Sequence, residues 1–237
     1  MFEEIPRRLA EIRARVADAA GRSGRPPDAV RLIAVSKTHP IDAVRAAAEA
    51  GQLDFGENKV QEALQKISVS TDTRLRWHLI GHLQSNKAKK AGEAFAYVHA
   101  IDSADLLRKV DQAATAAGRT VNVLVQVDLA LEETKHGAPI VAVPGIFEAA
   151  AGCAAARVVG LMLLPPLVDD PNDARPWFRQ LRAVRDDLGA RGVPAERLQE
   201  LSMGMSHDFE VAIEEGATMV RVGTAIFGAR SYGTTQP

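Results

Sequence analysis

Leu201-Ser-Met-Gly-Met-Ser206 is the first of two stretches that decide the fold, and Thr218-Met-Val-Arg-Val-Gly-Thr-Ala-Ile-Phe-Gly228 is the second. In each stretch an apolar run ends in glycine and hydroxyl-bearing residues. A strand that ends in this way turns its backbone N–H groups outward, where they can bind a phosphate. Two such elements in succession, late in an alternating α/β chain, indicate the paired phosphate-binding turns after strands 7 and 8 of a (β/α)8 barrel.

The chain before these stretches alternates short apolar runs with segments of helix length. Runs that are apolar on both sides are typical of parallel strands covered by helices. The predicted strands span 32–35, 53–56, 76–81, 96–101, 121–127, 158–164, 200–203 and 219–222. Eight strands with right-handed crossovers favour a closed barrel, and no Gly-x-Gly-x-x-Gly follows the first strand to favour a dinucleotide fold. Apolar residues at helical spacing over 2–20 add a helix in front. We therefore predict one (β/α)8 TIM-type barrel domain, α/β in class, over residues 1–237, with an extra N-terminal helix.

Composition excludes several classes of function. The chain has 237 residues, 46% hydrophobic and 25% charged, with a formal net charge of -1. A general affinity for nucleic acid or for anionic membranes draws on a surplus of Lys and Arg, which is missing here. No segment reaches the roughly 20 consecutive apolar residues of a membrane span. The single cysteine, Cys153, and the charged N-terminus predict a reducing, cytoplasmic location. We expect a monomer, although the front helix could equally serve a dimer.

Lys37 is the first candidate for chemistry. It follows the first predicted strand in Ala34-Val-Ser-Lys-Thr-His39. Desolvation near the mouth of a barrel would lower the pKa of its ammonium group and free the amine for imine formation. Taken alone, a lysine at such a position is more often a solvated lysine in a loop.

Two further stretches accompany Lys37, namely Asp54-Phe-Gly-Glu-Asn58-Lys-Val-Gln-Glu62 and Trp77-His-Leu-Ile-Gly-His-Leu-Gln84-Ser-Asn86-Lys. With Leu32-Ile-Ala-Val-Ser-Lys37-Thr and the two C-terminal stretches, they resemble the pyridoxal phosphate homeostasis protein family. The matching motifs occur in order over residues 32–230. The resemblance implies a single-domain barrel related to the N-terminal domain of alanine racemase, with pyridoxal 5'-phosphate as the cofactor.

The resemblance also assigns roles to residues at the strand ends. It implies that Lys37 holds the cofactor as an internal aldimine. It further implies that the phosphate lies against Ser206 and against the backbone of Gly223 and Thr224, in agreement with the turns inferred above. Without the resemblance, Ser206 reads as a helix N-cap and Gly223 as a turn residue, and both roles use the same N–H groups.

Arg221 lies within an apolar strand, where an arginine needs a partner. By the resemblance it donates to the pyridine nitrogen, which then stays unprotonated and makes the cofactor a poor electron sink. The alternative is an ion pair with Glu200 or Asp208.

Asn58 could hydrogen-bond near the cofactor ring, or it could cap the next helix. His78 is expected to be a satisfied core histidine, and the histidine spacing predicts no metal site.

The resemblance implies a protein that carries or buffers the cofactor in intracellular homeostasis and passes it to apo-enzymes, rather than an enzyme. An amino-acid racemase is the first alternative, but racemisation needs a base on each face of the substrate, and the resembling racemases take the second, a tyrosine, from a C-terminal β-domain. We expect this chain to lack that domain, because little of the sequence follows the eighth predicted strand. Its only tyrosines are Tyr97, early in the fourth predicted strand, and Tyr232, in the Gly/Thr tail. A sugar-phosphate enzyme is the second alternative, and would need an acid or base among carboxylates such as Asp54, Asp128 or Asp169.

Overall fold

The computed structural model describes residues 2–130 and 136–228, in which eight parallel strands close into a TIM-type barrel. Each strand pairs in parallel with the next, and the eighth pairs with the first. The barrel strands are β1 (Arg31–Val35), β2 (Asp54–Glu57), β3 (Arg76–Leu79), β4 (Tyr97–Ile101), β5 (Val121–Asp128), β6 (Ala156–Met162), β7 (Glu200–Met205) and β8 (Met219–Val222). The predicted fold class is confirmed.

Helices surround the barrel and begin with the predicted N-terminal one. They are α1 (Glu4–Arg22), α2 (Ile41–Glu49), α3 (Val60–Val69), α4 (Ala88–Ala94), α5 (Ala104–Ala116), α6 (Val143–Ala149), α7 (Arg175–Ala190), α8 (Phe209–Glu214) and α9 (Thr224–Phe227). The apolar face of α1 is buried against α2, α8 and α9. An ion pair of 2.9 Å between Arg15 and Glu210 joins α1 to α8. The extra helix therefore covers a flank of the barrel rather than an end. Of the helices in the described ranges, none combines the length and the hydrophobicity needed to cross a bilayer.

Several boundaries differ from the sequence prediction. Strand β3 ends at Leu79, and the backbone beyond it passes so close to Asn58 that a Cβ on Gly81 would lie 2.3 Å from the Asn58 carbonyl oxygen. Strand β7 continues to Met205, two residues further than predicted. A two-residue strand, Ala138–Pro139, pairs with the end of β5 and was not predicted. Such short edges depend on neighbouring backbone rather than on their own sequence pattern.

Side chains alternate between the two surfaces of the sheet, as the two-residue period of a strand requires. The outward side chains form the large core beneath the helices. Inside, Ile33, Leu124, Met162 and Met219 form a small separate apolar cluster. The interior also holds buried polar groups from β2, β3, β4, β7 and β8, and these groups connect the fold to the site.

Candidate functional site

A cleft of about 700 Å³ opens at the carboxyl ends of the strands. This is the face at which TIM barrels place their functional residues. All six residues predicted from the sequence line it: Lys37, Asn58, Ser206, Arg221, Gly223 and Thr224. The closure of the barrel thus brings together residues that lie up to 187 positions apart, counted from Lys37 to Thr224.

Lys37 lies on a tight turn directly after β1. The turn is held by hydrogen bonds from Ser36 N–H to the Gly56 carbonyl and from His39 N–H to the Ser36 carbonyl, each 3.0 Å long. Thr38 has a φ of 66°, which is uncommon for a residue other than glycine. Such a conformation persists only where the surroundings hold it. Here the Thr38 N–H donates to a carboxylate oxygen of Glu62.

A charged cluster, made of the buried Lys66 and Glu57 and the half-buried Glu62, supports this turn. Lys66 Nζ donates to Glu57 Oε1 at 2.7 Å, to Glu62 Oε1 at 2.9 Å and to the Ser36 carbonyl at 2.8 Å. The Ser36 hydroxyl donates to the same Glu57 oxygen at 2.6 Å. Burial raises the pKa of Glu57, although the hydrogen bond from Lys66 opposes the rise. The roles of Glu57, Glu62 and Lys66 were not predicted from the sequence, because the cluster forms only when β2 and α3 pack against the turn after β1.

Ser206, Gly223 and Thr224 form a second wall of the cleft, beside the turn after β1. The Gly223 N–H donates to Ser206 Oγ at 3.2 Å, which joins the turns after β7 and β8. A Cβ on Gly223 would lie 3.1 Å from the Val35 carbonyl oxygen, so the close approach of β1 and β8 favours glycine there. Helix α9 begins at Thr224, and the first N–H groups of a helix have no acceptor within it. This wall offers hydroxyl and amide donors, which suit a phosphate group.

Arg221 lies at the floor of the cleft with only 3% of its surface exposed. Its Nη1 donates to Ser202 Oγ at 2.6 Å, and its Nη2 donates to the Leu163 carbonyl at 2.8 Å. Desolvation lowers the pKa of this guanidinium to about 10. Among the described residues, no ion pair within 4 Å joins it to Glu200 or Asp208, although the charge of Asp208 acts against the desolvation.

Asn58 lies between β2 and α3 and lines the cleft. Helix α3 begins at Val60, its N-cap position is Lys59, and no side chain caps it. The capping role considered for Asn58 is therefore wrong. His78 is fully buried and hydrogen-bonded to Asp54 and His99, as predicted for a core histidine. Across residues 2–130 and 136–228, no three His, Cys, Asp or Glu side chains are grouped so as to hold a metal ion.

Comparison with known protein families places residues 8–231 in the family described as "Alanine racemase, N-terminal domain". A curated relative from Aquifex aeolicus, named "Pyridoxal phosphate homeostasis protein", is 41% identical over 225 residues, which are 95% of this chain and 98% of the relative. A relative of the same name from Pseudomonas aeruginosa is 42% identical over 97% of both chains. These relatives are named for homeostasis and not as racemases, which agrees with the expectation of a protein that is not an enzyme.

The solved structures lead to the same family. PipY of Synechococcus elongatus, whose structure was determined with PLP bound, is similar to this chain with a TM-score of 0.83 and 41% identity. The similarity covers 94% of this chain and all of PipY. The likeness of this barrel to the alanine racemase of Corynebacterium glutamicum, at 17% identity, is one of fold alone, with a TM-score of 0.70 over 94% of this chain and 62% of the racemase.

Proposed function

This chain belongs to the pyridoxal phosphate homeostasis protein family, and we propose that it binds pyridoxal 5'-phosphate in the cleft and holds it for intracellular homeostasis. The observation that carries the proposal is the meeting of all six predicted residues in one cleft. A cofactor with an aldehyde, a phosphate and a ring nitrogen needs three kinds of partner, and each kind is available there.

The donor set suits the three groups of the cofactor. In the proposal the phosphate accepts from the Ser206 hydroxyl and the Thr224 amide and lies against the backbone of Gly223, whose N–H donates to Ser206 Oγ in the structure. Arg221, which can only donate, suits the unprotonated ring nitrogen. Lys37, on its fixed turn, provides an amine for the aldehyde. In our proposal the Lys37 amine forms a Schiff base with the aldehyde carbon and water is released, while Asn58 hydrogen-bonds near the ring.

A role in holding the cofactor, rather than in catalysis, follows from the same groups. A guanidinium facing the ring nitrogen keeps that nitrogen unprotonated, which weakens the ring as an electron sink. Tyr97, the tyrosine within the described residues, stacks on His78 at a centroid distance of 4.4 Å inside the barrel and does not line the cleft. Tyr232 lies outside the described residues. We therefore propose that the chain is not an efficient racemase.

The sugar-phosphate alternative has less support. It requires an acid or base at the strand ends, and none of the three carboxylates considered, Asp54, Asp128 and Asp169, lines the cleft. Asp208 does line it, but its carboxylate already accepts a hydrogen bond from the Met205 N–H at 2.6 Å. Asp54 stands at the first position of β2, at the opposite end of the barrel.

The proposal extends to the oligomeric state, the location and the recipients of the cofactor. We propose a monomer whose residues 1–237 form a single domain, which acts in the cytoplasm and passes its cofactor to apo-enzymes. The burial of the apolar face of α1 within its own chain supports the monomer, since that face is not available to a second copy.

The test is the visible absorbance of the purified protein mixed with pyridoxal phosphate, followed by borohydride reduction and peptide mass mapping. We expect an absorption band that collapses on reduction and a pyridoxyl adduct on Lys37. Lys37→Ala should lose the adduct and keep the fold, whereas Lys89→Ala, at a side chain 81% exposed, should keep both. A colourless, unlabelled wild-type protein would refute cofactor binding, and racemisation of an amino acid at enzymatic rates would refute the carrier role.

A further inference from the structure

A continuous line of hydrogen bonds crosses the barrel interior from Arg221 to Asp54. From Arg221 Nη1 it runs 2.6 Å to Ser202 Oγ, then 2.9 Å to His99 Nδ1. From His99 Nε2 it runs 3.0 Å to His78 Nδ1, and from His78 Nε2 it runs 2.9 Å to Asp54 Oδ1. None of the five side chains belongs to a residue more than 5% exposed. The line therefore joins the floor of the cleft to the other end of the barrel.

The two ends of this line have opposite and fixed roles. A guanidinium can only donate hydrogen bonds, and an ionised carboxylate can only accept them. Arg76 donates to both oxygens of Asp54, and the hydrogen bonds from Arg76 and His78 outweigh burial and hold the pKa of Asp54 well below its usual range. Asp54 therefore accepts, and Arg221 donates.

Because Arg221 can only donate and Asp54 can only accept, the position of every proton between them is determined when both histidine rings are neutral. His78 must carry its proton on Nε2 to donate to Asp54, so its Nδ1 accepts. His99 must then carry its proton on Nε2, and its own Nδ1 accepts from the hydroxyl of Ser202. The oxygen of Ser202 is left to accept from Arg221. No other assignment of two neutral rings makes all four hydrogen bonds.

The surroundings keep both rings neutral. Burial lowers the pKa of His78, and the nearby charges of Arg31 and Arg76 oppose its protonation further, against the pull of Asp54. Burial lowers the pKa of His99 as well, and Arg221 and Arg31 act in the same direction. The ring of Tyr97, which lies beneath the Arg31 guanidinium, covers one face of His78.

We propose that Asp54, His78, His99 and Ser202 form a directed relay that positions the guanidinium of Arg221 for the ring nitrogen of the cofactor. The inference rests on the proposed function, because it takes Arg221 as the partner of that nitrogen. The relay residues are positioning residues, since none of them lines the cleft. Asp54 and Arg76 line a separate cavity of about 430 Å³ at the far end of the barrel.

Nuclear magnetic resonance of the full chain tests the relay without any cofactor. The protein is labelled with ¹⁵N in its six histidines, and long-range ¹H–¹⁵N spectra are recorded from pH 6 to pH 8. Comparison with His78→Gln and His99→Gln assigns the two rings. We expect both to stay neutral with the proton on Nε2, and Ser202→Ala to move the Nδ1 signal of His99 while the tautomer of His78 is unchanged. Titration of either ring in this range, or a proton on Nδ1 of either, overturns the relay.

Pyridoxal phosphate then tests the positioning role. Ser202→Ala removes the hydrogen bonds to Arg221 and to His99, and only the first holds the guanidinium directly. It should therefore shift the absorption band of the bound cofactor and weaken binding about threefold to tenfold, the range expected for the loss of one hydrogen bond. Ser68→Ala, at a hydroxyl that contacts only its own helix, is the control and should change neither. A folded Ser202→Ala protein with an unchanged band and affinity refutes the positioning role. Failure of the wild type to bind refutes the proposed function instead, and the tautomers still decide the relay.

Discussion

Replacing Lys66 with methionine should destabilise the protein and loosen the turn that carries Lys37. Methionine keeps most of the length of the side chain but removes three hydrogen bonds, to Glu57, to Glu62 and to the Ser36 carbonyl. The side chain of Lys66 is 8% exposed, and that of Glu57 is fully buried. The substitution therefore leaves a buried carboxylate without its cation.

The expected magnitude follows from this burial. Removing one partner of a buried ion pair costs about 3–5 kcal/mol in the free energy of unfolding. For a chain of this size, such a loss lowers the melting temperature by roughly 6–20 °C. The exposed pair of Lys89 and Glu93, 3.9 Å apart, provides the contrast, because Lys89→Met should change stability by about 0.5 kcal/mol or less.

The loss should also depend on pH. Burial raises the pKa of Glu57 in the folded protein. A carboxyl group with a raised pKa in the folded state stabilises the fold when it is protonated. This contribution is fully present below the ordinary glutamate pKa of about 4.3 and is lost as the pH rises through the pKa of the folded protein. Without Lys66 this rise in pKa is larger. The deficit of Lys66→Met should therefore shrink as the pH falls from 7 towards 5.

The assay is urea denaturation of the wild type, Lys66→Met, Lys89→Met and the double variant Lys66→Met/Glu57→Gln. The double variant removes both charges and should recover at least half of the loss, since it leaves no unpaired charge at Glu57. A Lys66→Met protein that loses less than about 1 kcal/mol at pH 7 would refute the reasoning. So would a double variant no more stable than the single one.

Two further predictions concern the barrel and its arginine. Gly160→Ala should destabilise the protein by about 3 kcal/mol or more, because its Cβ would lie 1.8 Å from the Glu200 carbonyl oxygen, whereas Gly152→Ala, with nothing within 4 Å, should be nearly neutral. Thermal unfolding of both variants checks this difference in stability, and equal melting temperatures for the two variants would contradict it. Arg221→Glu should place an acceptor at the ring nitrogen, favour its protonation and shift the spectrum of the bound cofactor. An unchanged spectrum in a folded Arg221→Glu protein that still binds would argue against the proposed partner of that nitrogen.

The fold was accessible from the sequence because local patterns encode it, and the candidate site residues were named from these patterns together with the family resemblance. Eight apolar runs separated by helical segments predict the barrel, and the glycines and hydroxyls after 203 and 222 mark the two turns that line the cleft. Lys37 and Arg221 stand out because a charged residue beside or within a buried strand is unusual. Boundaries such as the end of β3 were missed, because the approach of Gly81 to Asn58 is a contact between segments.

The pattern of residues by itself determined that the chain closes into a barrel, with a lysine and two glycine- and hydroxyl-containing turns at one end. Only the tertiary structure decided which polar side chains meet inside. Glu57, Glu62 and Lys66 come together under the Lys37 turn, and the line from Asp54 to Arg221 joins five different strands. Each of these contacts depends on which strands are neighbours and on their register, and both are set when the barrel closes. The spacing of residues along the chain does not indicate which strands are neighbours or in which register they pair.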